Sequence, residues 1–417
     1  MSSLVGVETA PNTSTVAIAR TGRSATGFQP ASKRRNLVAA CLAHALHDGY
    51  TDGLYAFLPI WQVQFALSYS GLAIVRALYY GVMAGTQAPA TRLTGRLSPR
   101  AALVISTLVA GGGFFVMALP FGYTGLCVGL VLAGLGSSLQ HPRGSLLVTD
   151  TYADAARKPL GIYNFSGDLG KATVPAAIAL LLPELAWRSV SALLGLAGLA
   201  VAGGLMALAP DRALAPCKPR DGVHQASRPG FPLLMTIGAF DTATRMGYLL
   251  FLPFLIHARG GNSAMVGLSL ALLFLGGALG KATCSWLGER LGVIGSVVAT
   301  EAATALLIVA SLFTPLAATL VLLPLLGIVL NGTSSVLYGT VPELAPRGDT
   351  GRAFALFYTA VIGAGGLAPI AYGVLADHSS RTIGVIAAAT TAALTVPMVF
   401  GLRPALAHAE ADISRSK

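Results

Sequence analysis

Charged residues are scarce in this chain. Asp, Glu, Lys and Arg make up 11% of its 417 residues, whereas soluble globular proteins carry about 25%. So few charges cannot cover a water-facing surface of this size, which excludes a soluble enzyme, a coiled coil and a disordered scaffold. Cysteine is also rare, and the spacing of the four residues predicts neither a disulfide framework nor a zinc site. These cysteines are Cys41, Cys127, Cys217 and Cys284.

Motifs of intramembrane and soluble catalysis are missing as well. The sequence contains no H-E-x-x-H, no G-x-S-x-G and no C-x-x-C. Each of these patterns holds a nucleophile, a base or a metal in the geometry that its chemistry requires. The sequence therefore predicts a protein that is not an enzyme and that needs no cofactor or resident metal.

Long apolar runs are what the chain has in abundance. Hydrophobic residues account for 54% of it, and the mean hydropathy is +0.69. The runs are continuous for about 20 residues, which fits membrane-spanning helices and not the alternating segments of a transmembrane β-barrel. We therefore predict an all-α membrane protein with twelve spans, at about 37–61, 69–90, 101–120, 123–147, 160–183, 187–209, 231–256, 265–287, 293–313, 317–340, 353–376 and 382–402.

The basic residues predict the orientation of these spans. Of the 28 Lys and Arg residues, twenty lie in the tails and connections on one side of the predicted membrane and three on the other. The positive-inside rule then places both termini in the cytoplasm of a multi-pass inner-membrane protein. The net charge of +11 is thus a topology signal, and nucleic acid is not an expected partner. Lipid, protons and a small molecule are the expected partners of a chain that works as a monomer.

An internal repeat organises the chain. Phe57-Leu58-Pro59 recurs as Phe251-Leu252-Pro253, and Pro175 recurs as Pro369, each time 194 residues later and with glycines before the second proline pair. Since six spans are an even number, both halves start on the same face, which predicts a parallel duplication. The expected segments are a disordered tail at 1–35, a six-helix half at 36–209, a linker at 210–230, a second half at 231–403 and a tail at 404–417.

Twelve spans, two parallel halves and a basic central segment resemble the major facilitator superfamily over about residues 36–403. The segment Ser285 to Gly292 (SWLGERLG) is similar to the loop signature of that superfamily, with Glu289 and Arg290 between two helices. The first-half counterpart keeps Arg96 but has Gly95 where the acid is expected. The resemblance implies a transporter in which Arg96, Glu289 and Arg290 belong to the gating loops.

A narrower resemblance comes from His44, His47 and Asp48 in the first span and from Gln140-His141-Pro142 in the fourth. These residues look like those of the fosmidomycin-resistance type of efflux proteins, although Arg143 stands where that group has an acid. This resemblance implies drug efflux.

Ten ionisable residues lie inside the predicted spans. Each costs about 2.5–3.5 kcal/mol on insertion scales, so such residues normally face a cavity or a partner. Five are acids and five are bases, which is what mutual pairing would produce. They are Asp48, Asp52, Asp168, Asp241, Glu301, Arg76, Arg143, Lys171, Arg245 and Lys281.

The first span carries the densest polar face. Its polar residues recur at helical spacing and so share one side of a helix. A carboxylate or imidazole that exchanges its proton as its surroundings change makes a pump step, so we expect Asp48, Asp52, His44 and His47 to couple transport to protons, with Arg143 as the movable counter-charge. Alternatively, the acids only neutralise Arg143 or Arg76 and hold helices together. The face comprises His44, His47, Asp48, Thr51, Asp52 and Tyr55.

Charge pairs recur in the fifth and seventh spans. Asp168 and Lys171 stand three residues apart, and Asp241 and Arg245 stand four apart, so each pair can form within one helix. One interpretation treats them as self-neutralised pairs that lower the cost of insertion. The other makes the cations binding groups for an anionic solute. The predicted solute-binding residues are Tyr55, Arg76, Arg143, Asn164, Asp168, Lys171, Asp241, Arg245 and Tyr248.

These patterns together predict a secondary transporter that exports a small organic anion or drug-like compound in exchange for protons. A proton-coupled importer of an organic anion remains as one alternative. The other is a divalent-metal exporter that uses His44, His47 and Asp48 as imidazole and carboxylate ligands. A channel is disfavoured because it leaves the two-fold repeat with mid-membrane charges unexplained.

Overall fold

The computed structural model describes residues 30–94, 96–210, 230–345 and 350–408, and every regular element in these ranges is helical. The prediction of an all-α protein is therefore confirmed. Most of the predicted linker at 210–230 and of both predicted tails lies outside the described residues. The helices are α1 (Pro30–Phe65), α2 (Tyr69–Leu93), α3 (Pro99–Ala118), α4 (Gly122–Tyr152), α5 (Arg157–Leu181), α6 (Trp187–Leu208), α7 (Phe231–Ala258), α8 (Ser263–Phe313), α9 (Leu316–Leu344), α10 (Thr350–His378) and α11 (Arg381–Phe400), with a short 3-10 helix (Ala153–Ala155) before α5.

The first helix starts earlier than the sequence predicts. Apolar residues begin only at about residue 36, but α1 begins at Pro30, inside the segment predicted as a tail. Proline is well suited to the first turn of a helix because the N–H it lacks has no partner there.

Polar caps fix the start of several helices. Ser98, Asn262 and Ser380 precede α3, α8 and α11, and each side chain accepts a hydrogen bond from the backbone N–H three residues later. Such caps satisfy N–H groups that have no carbonyl partner inside the helix. With connections of only a few residues, consecutive helices run antiparallel.

The eighth helix contains a sharp bend. Gly292 has φ 68° and ψ 176°, and it divides α8 into a first segment, residues 263–291, and a second segment, residues 293–313. Positive φ is accessible to glycine without the steric cost that a Cβ would add. The sequence predicts two separate spans here, at 265–287 and 293–313, and the structure joins them at this one residue.

Eight of the described helical segments are long and apolar enough to cross a membrane by length and composition. The other long helices are α1, α2, α5 and α7. These four carry Asp48, Arg76, Lys171 and Asp241, whose charges lower the mean hydropathy of their helices. Buried charged residues are not confined to these four helices, since Arg143 on α4 and Glu301 on α8 are buried as well.

The helices pack as an N-terminal group, α1–α6, and a C-terminal group, α7–α11. Within the first group α1 packs on α5 and α3 packs on α4 and α6; within the second, α8 packs on α9 and α7 packs on α10. Small residues permit close approach, since a Cβ on Gly170 of α5 would lie 1.9 Å from the carbonyl oxygen of Ala45 in α1. Between the groups, α5 packs on α8 and α2 packs on α10.

One end of the bundle, which we call the closed end, holds many contacts between the two groups. It carries the connections at 66–68, 182–186, 259–262 and 379–380. There the ring of Tyr69 packs edge-on against Phe251 and Phe254 at 5.5 and 5.2 Å between ring centres. Near the opposite end of the interfacial helices, Phe165 on α5 and Trp286 on α8 are exposed.

An ionic cap joins the groups at the closed end. The Asp377 carboxylate, on α10, accepts hydrogen bonds from the backbone N–H groups of Tyr69 and Ser70 at 2.8 and 3.0 Å, and from the Ser70 hydroxyl at 2.6 Å. Tyr69 and Ser70 begin α2, so the N-terminus of this helix is capped by an anion from the other group.

Candidate functional site

A buried carboxylate in the middle of α1 is the centre of the candidate site. Asp48 Oδ2 lies 3.3 Å from His44 Nε2 and 3.3 Å from Lys171 Nζ, and Asp48 Oδ1 lies 3.5 Å from His141 Nε2. The Asp48 cluster, as we call these four residues, joins α1, α4 and α5. Gly167 makes room for it, because a Cβ there would lie 2.5 Å from Asp48 Oδ2.

The hydrogen bonds of His44 define a place for one proton. His44 Nδ1 lies 2.8 Å from the carbonyl oxygen of Tyr163, which can only accept, so Nδ1 carries a hydrogen. His44 Nε2 therefore faces the Asp48 carboxylate either as a bare lone pair, which is repulsive, or through a second proton. That second proton can reside on the ring or on the carboxyl group. The ring is held in this orientation by stacking on Tyr163, 4.0 Å away.

His47 has a different environment from His44. Its Nδ1 lies 2.8 Å from Ser137 Oγ and its Nε2 lies 3.2 Å from Thr107 Oγ1. The Ser137 hydroxyl also contacts the Tyr79 hydroxyl at 2.7 Å. The Tyr79 hydroxyl in turn accepts a hydrogen bond from the Thr51 hydroxyl at 3.1 Å. Hydroxyl groups thus occupy both nitrogens of the His47 ring, inside the N-terminal group. The single polar face predicted for α1 is therefore divided between two surroundings.

Asp52 and Arg76 form a second charged contact, with Arg76 Nη2 3.8 Å from Asp52 Oδ1. The Arg76 guanidinium lies over the ring of Tyr55 at 4.2 Å and near that of Tyr80 at 5.3 Å. It also contacts the sulfur of Met246 in α7 at 3.6 Å. Flat aromatic faces on the guanidinium provide cation–π attraction, so the cation is held where the two groups meet.

An ion pair crosses between the groups from Asp168 to Lys281. Lys281 Nζ, on α8, donates to both carboxylate oxygens of Asp168, on α5, at 2.6 and 2.7 Å. The sequence-based pairing of Asp168 with Lys171 is thus replaced by two pairings, Asp168 with Lys281 and Asp48 with Lys171. The reason is that α1 and α8 both pack closely on α5 and bring Asp48 and Lys281 within reach of its charged residues.

A further charged group lies within the C-terminal helices. Asp241 of α7 is 2% exposed and Glu301 of α8 is 1% exposed. Arg245 lies one turn from Asp241 and donates weakly to Asn331 Oδ1 at 3.5 Å and to Thr242 Oγ1 at 3.4 Å. The Arg245 guanidinium is therefore not bound to Asp241 alone.

Three predicted binding residues lie apart from these groups. Arg143, the expected counter-charge of Asp48, is buried, and its Nη2 donates to Thr94 Oγ1 at 3.3 Å. The cation beside Asp48 is Lys171 instead. Asn164 is exposed on α5. Tyr248 of α7 is fully buried, and its hydroxyl has no hydrogen-bond partner among the described residues.

The predicted gating residues are only partly described. Arg96 is exposed in the turn between α2 and α3. The Arg290 guanidinium lies 4.9 Å from the Trp286 ring. The side chain of Glu289 lies outside the described residues, so the predicted contact between Glu289 and Arg290 stays a prediction.

Residues missing from the predicted site set are His141, Lys281 and Glu301. His141 was recognisable from the Gln140-His141-Pro142 motif but carried no role, because its distance to α1 is a tertiary property. Lys281 lies near a predicted helix end, where a lysine can simply extend toward water. Glu301 stands alone in its segment, so local spacing offers it no partner.

A metal site is a possible use of the Asp48 cluster. His44, Asp48 and His141 offer ligand atoms that all lie within 4.8 Å of one another. The sequence-based set of His44, His47 and Asp48 is replaced, because hydroxyl groups hold His47 elsewhere. The Lys171 ammonium shares Asp48 Oδ2 with His44, and a fixed cation at a ligand oxygen repels a second one.

Comparisons with known families match both halves of the chain. Residues 40–236 match the family described as the Major Facilitator Superfamily, and residues 224–417 match the one described as Transmembrane secretion effector. Among curated proteins, the fosmidomycin resistance protein of Escherichia coli strain K12 is 24% identical over 362 residues, which cover 82% of this chain and 87% of that protein.

Solved transporter structures share the fold. A bacterial homologue of the human lysosomal transporter Spinster, in an inward-facing and occupied conformation, aligns with a TM-score of 0.75 and 15% identity over 92% of this chain and 99% of that one. A POT family transporter in complex with 5-aminolevulinic acid aligns with a TM-score of 0.72 and 14% identity over 89% and 96% of the two chains. At these identities the likeness concerns the fold alone.

Proposed function

The chain belongs to the major facilitator superfamily, and from that premise we propose that it is a secondary active transporter. It moves a small organic solute, anionic or drug-like, across the inner membrane by alternating access, and it couples efflux of the solute to entry of protons. The observation that carries this proposal is the Asp48 cluster, a buried carboxylate with a defined place for one proton near the middle of a membrane helix.

The proposed architecture has twelve spans in two parallel six-helix halves, with α8 contributing two of them on either side of Gly292. Pro59 and Pro253 lie inside α1 and α7, and Pro175 and Pro369 lie inside α5 and α10, which supports the duplication. With both termini in the cytoplasm, as the distribution of basic residues predicts, the closed end faces outward. The structure then corresponds to an inward-facing state.

Proton coupling follows from how the Asp48 cluster is built. Its residues come from three helices, so a change in their packing alters how strongly Lys171 compensates Asp48. A nearby cation favours the charged carboxylate, and loss of that cation favours the protonated one. In the present arrangement Lys171 Nζ lies 3.3 Å from Asp48, which favours the charged carboxylate.

The sign of the coupling determines the direction of transport. Exchange requires that solute binding lowers the affinity of the cluster for its proton, so the two ligands travel alternately. An anion that draws Lys171 away from Asp48 has the opposite effect, because the uncompensated carboxylate then binds a proton more tightly. That outcome gives co-transport, and it is the basis of the alternative function as an importer of organic anions.

Substitution of Asp48 by Asn tests the proposal. Asn keeps the size of the side chain but cannot exchange a proton, so we expect Asp48→Asn to abolish solute movement driven by a pH gradient while solute-for-solute counterflow continues. The assay uses proteoliposomes with an imposed pH gradient and a panel of phosphonates, organic acids, cationic drugs and divalent metals. Glu184→Gln, an equal charge change at an exposed residue of the closed end, is the matched control.

Two results would contradict this function. Unchanged pH-driven transport by Asp48→Asn excludes the Asp48 cluster as the coupling site. Solute affinity that strengthens as pH falls indicates co-transport and favours the importer.

The metal exporter is retained as a second candidate because His44, Asp48 and His141 are grouped within coordination distance. Movement of divalent cations alone from the panel, lost in both His44→Ala and His141→Ala, would favour it over the organic solute.

A further inference from the structure

We propose that the Arg76 guanidinium binds the acid group of the solute, and that the solute is a carboxylate or phosphonate anion with an apolar body. This inference rests on the proposed function as a transporter of a small organic solute, and it names the chemical class of that solute. The observation behind it is a cation that is buried without the partners a buried cation needs. Arg76, on α2, is only 3% exposed.

The Arg76 guanidinium has few acceptors for its five N–H donors. Asp52 Oδ1 lies 3.8 Å from Arg76 Nη2, which is too far for a hydrogen bond. The Nη2 atom contacts the Met246 sulfur at 3.6 Å, and sulfur is a weak acceptor. The Nε atom has no hydrogen-bond partner in the described ranges. Buried cations are normally paired and hydrogen-bonded, so this guanidinium lacks an oxygen acceptor that a solute can supply.

Other arginines of the chain show the contacts of a structural role. Arg381 Nη1 donates to the carbonyl oxygen of Phe254 at 2.9 Å, and Arg100 Nε donates to that of Ala209 at 2.9 Å. Each of these contacts holds the end of one helix against another. Within the part of the chain that the structure describes, Arg76 has no backbone oxygen as a partner. Helix capping therefore does not explain its position.

Aromatic and sulfur surfaces surround the Arg76 guanidinium. It lies over the Tyr55 ring at 4.2 Å and near the Tyr80 ring at 5.3 Å. The Tyr55 hydroxyl donates to the Met246 sulfur at 3.4 Å, which holds these two side chains together. Ring faces attract the positive charge, but they do not replace oxygen acceptors. They do offer a surface on which the apolar body of a solute packs.

The site lies where the two helix groups meet. Arg76 and Tyr80 belong to α2 of the N-terminal group, whereas Met246 belongs to α7 of the C-terminal group. A Cβ on Gly365 of α10 would lie 3.2 Å from Tyr80 Cε1 and 3.4 Å from Met246 Cγ, so three helices converge here. A solute bound by Arg76 therefore contacts both groups.

The geometry of a guanidinium selects the acid group of the solute. Its planar fork of N–H donors matches two oxygens of one carboxylate or phosphonate, whereas an ammonium is a point charge. A cationic solute is repelled by Arg76, and a neutral solute leaves its charge uncompensated. The class of solute is therefore an organic anion and not a cationic drug.

Saturation-transfer NMR on the full-length protein in lipid nanodiscs tests this class, with protein-free nanodiscs as the blank. The probes share one phenyl ring and differ in charge: benzoate, phenylphosphonate, benzamide and benzylammonium. We expect benzoate, phenylphosphonate or both to bind about tenfold more tightly than the other two, because their charge-assisted bonds to the fork are the stronger ones. Binding of one anion alone identifies its acid group as the one that Arg76 recognises.

Arg76→Lys separates the fork from the charge. Lysine keeps a positive charge near Asp52, so the variant folds, but it cannot bind two oxygens in one plane. We expect the affinity for the anionic probe to fall about tenfold in Arg76→Lys and further in Arg76→Gln. Arg188→Gln is the matched control, because Arg188 also lies over an aromatic ring, that of Trp187 at 5.0 Å, but at the closed end. The affinity should be unchanged in this control.

Three results overturn the proposal. In the first, benzamide or benzylammonium binds as tightly as the anions. In the second, neither anion binds to the unmodified protein. In the third, Arg76→Lys binds the anions as tightly as the unmodified protein does. The measurement uses no pH gradient, so a protein that binds anions through Arg76 but moves them independently of pH keeps this inference and loses the proton-coupled function.

Discussion

The cap at the closed end predicts the effect of a single charge. Asp377 accepts three hydrogen bonds from the first two residues of α2, at 2.6–3.0 Å, and it is a principal polar link between the two helix groups at that end. We expect Asp377→Asn to weaken this end, because the amide loses the negative charge that favours a helix N-terminus and places an N–H₂ group toward N–H donors.

The magnitude follows from the exposure of the cap. A hydrogen bond to a charged group contributes about 1.5–3 kcal/mol when buried, and a charge at a helix end about 0.3–1 kcal/mol. Asp377 is exposed, so water screens the interaction and replaces part of it. We therefore expect a loss of about 1–2 kcal/mol for the whole cap, which changes the ratio of closed to open molecules at this end by a factor of about 5–30.

Distance measurement between spin labels gives the assay. Val63 at the end of α1 and Ser379 after α10 are exposed and belong to different helix groups, so labels there, in a background without the native cysteines, report the opening of the closed end. We expect a longer-distance population in Asp377→Asn and a smaller one in Ser70→Ala, which loses one hydrogen bond of the three. Glu184→Gln should leave the distribution unchanged.

The reasoning is refuted if Asp377→Asn has the same distance distribution as the unmodified protein. It is also refuted if the effects of Asp377→Asn and Ser70→Ala add fully in the double variant, because residues that share one interaction are not additive.

The remaining predictions concern packing and the ion pair between α5 and α8. Gly170→Ala should lower the melting temperature in detergent, at a cost of about 1–3 kcal/mol for an overpacked site, because the added Cβ would meet the backbone of α1. Gly161→Ala is the control and should not lower the melting temperature, because a Cβ there has no neighbour within 4 Å. Equal melting temperatures for the two variants would contradict this account. Asp168→Asn and Lys281→Gln should each reduce transport about tenfold or more by leaving a charge uncompensated, and the neutral double variant should recover part of it in the proteoliposome assay. Failure of the double variant to exceed either single one would show that the residues act separately.

The fold could be predicted because its signals are local. An apolar run of about 20 residues can be read within one segment, and a helix needs no partner elsewhere to be recognised. Helix ends follow less directly from hydropathy. Pro30 begins α1 in a stretch with few apolar residues, and α8 stays helical from the eighth predicted span up to Gly292, through residues that hydropathy assigns to a loop.

The site could be predicted only in its members, not in its pairings. Asp48 stood out because a charge in an apolar span must have a reason, and helical spacing placed His44 beside it. The partner of Lys171 could not be found this way, because whether a lysine reaches a neighbouring turn or another helix depends on how closely the helices approach. Arg143 shows the same limit, since it lies on a helix that packs on α1 but contacts Thr94, whereas His141, two residues earlier, reaches Asp48.

Gly292 has a mechanical consequence for the transport cycle. The first segment of α8 carries Lys281, which donates to Asp168 of the N-terminal helices, and the second carries the buried Glu301. A single glycine with positive φ separates the two segments. Because no loop lies between them, the two segments are joined directly at Gly292. A movement of the first segment that separates Lys281 from Asp168 therefore changes the angle between the two segments at Gly292. The backbone of α8 thus links the ion pair with Asp168 to the position of Glu301.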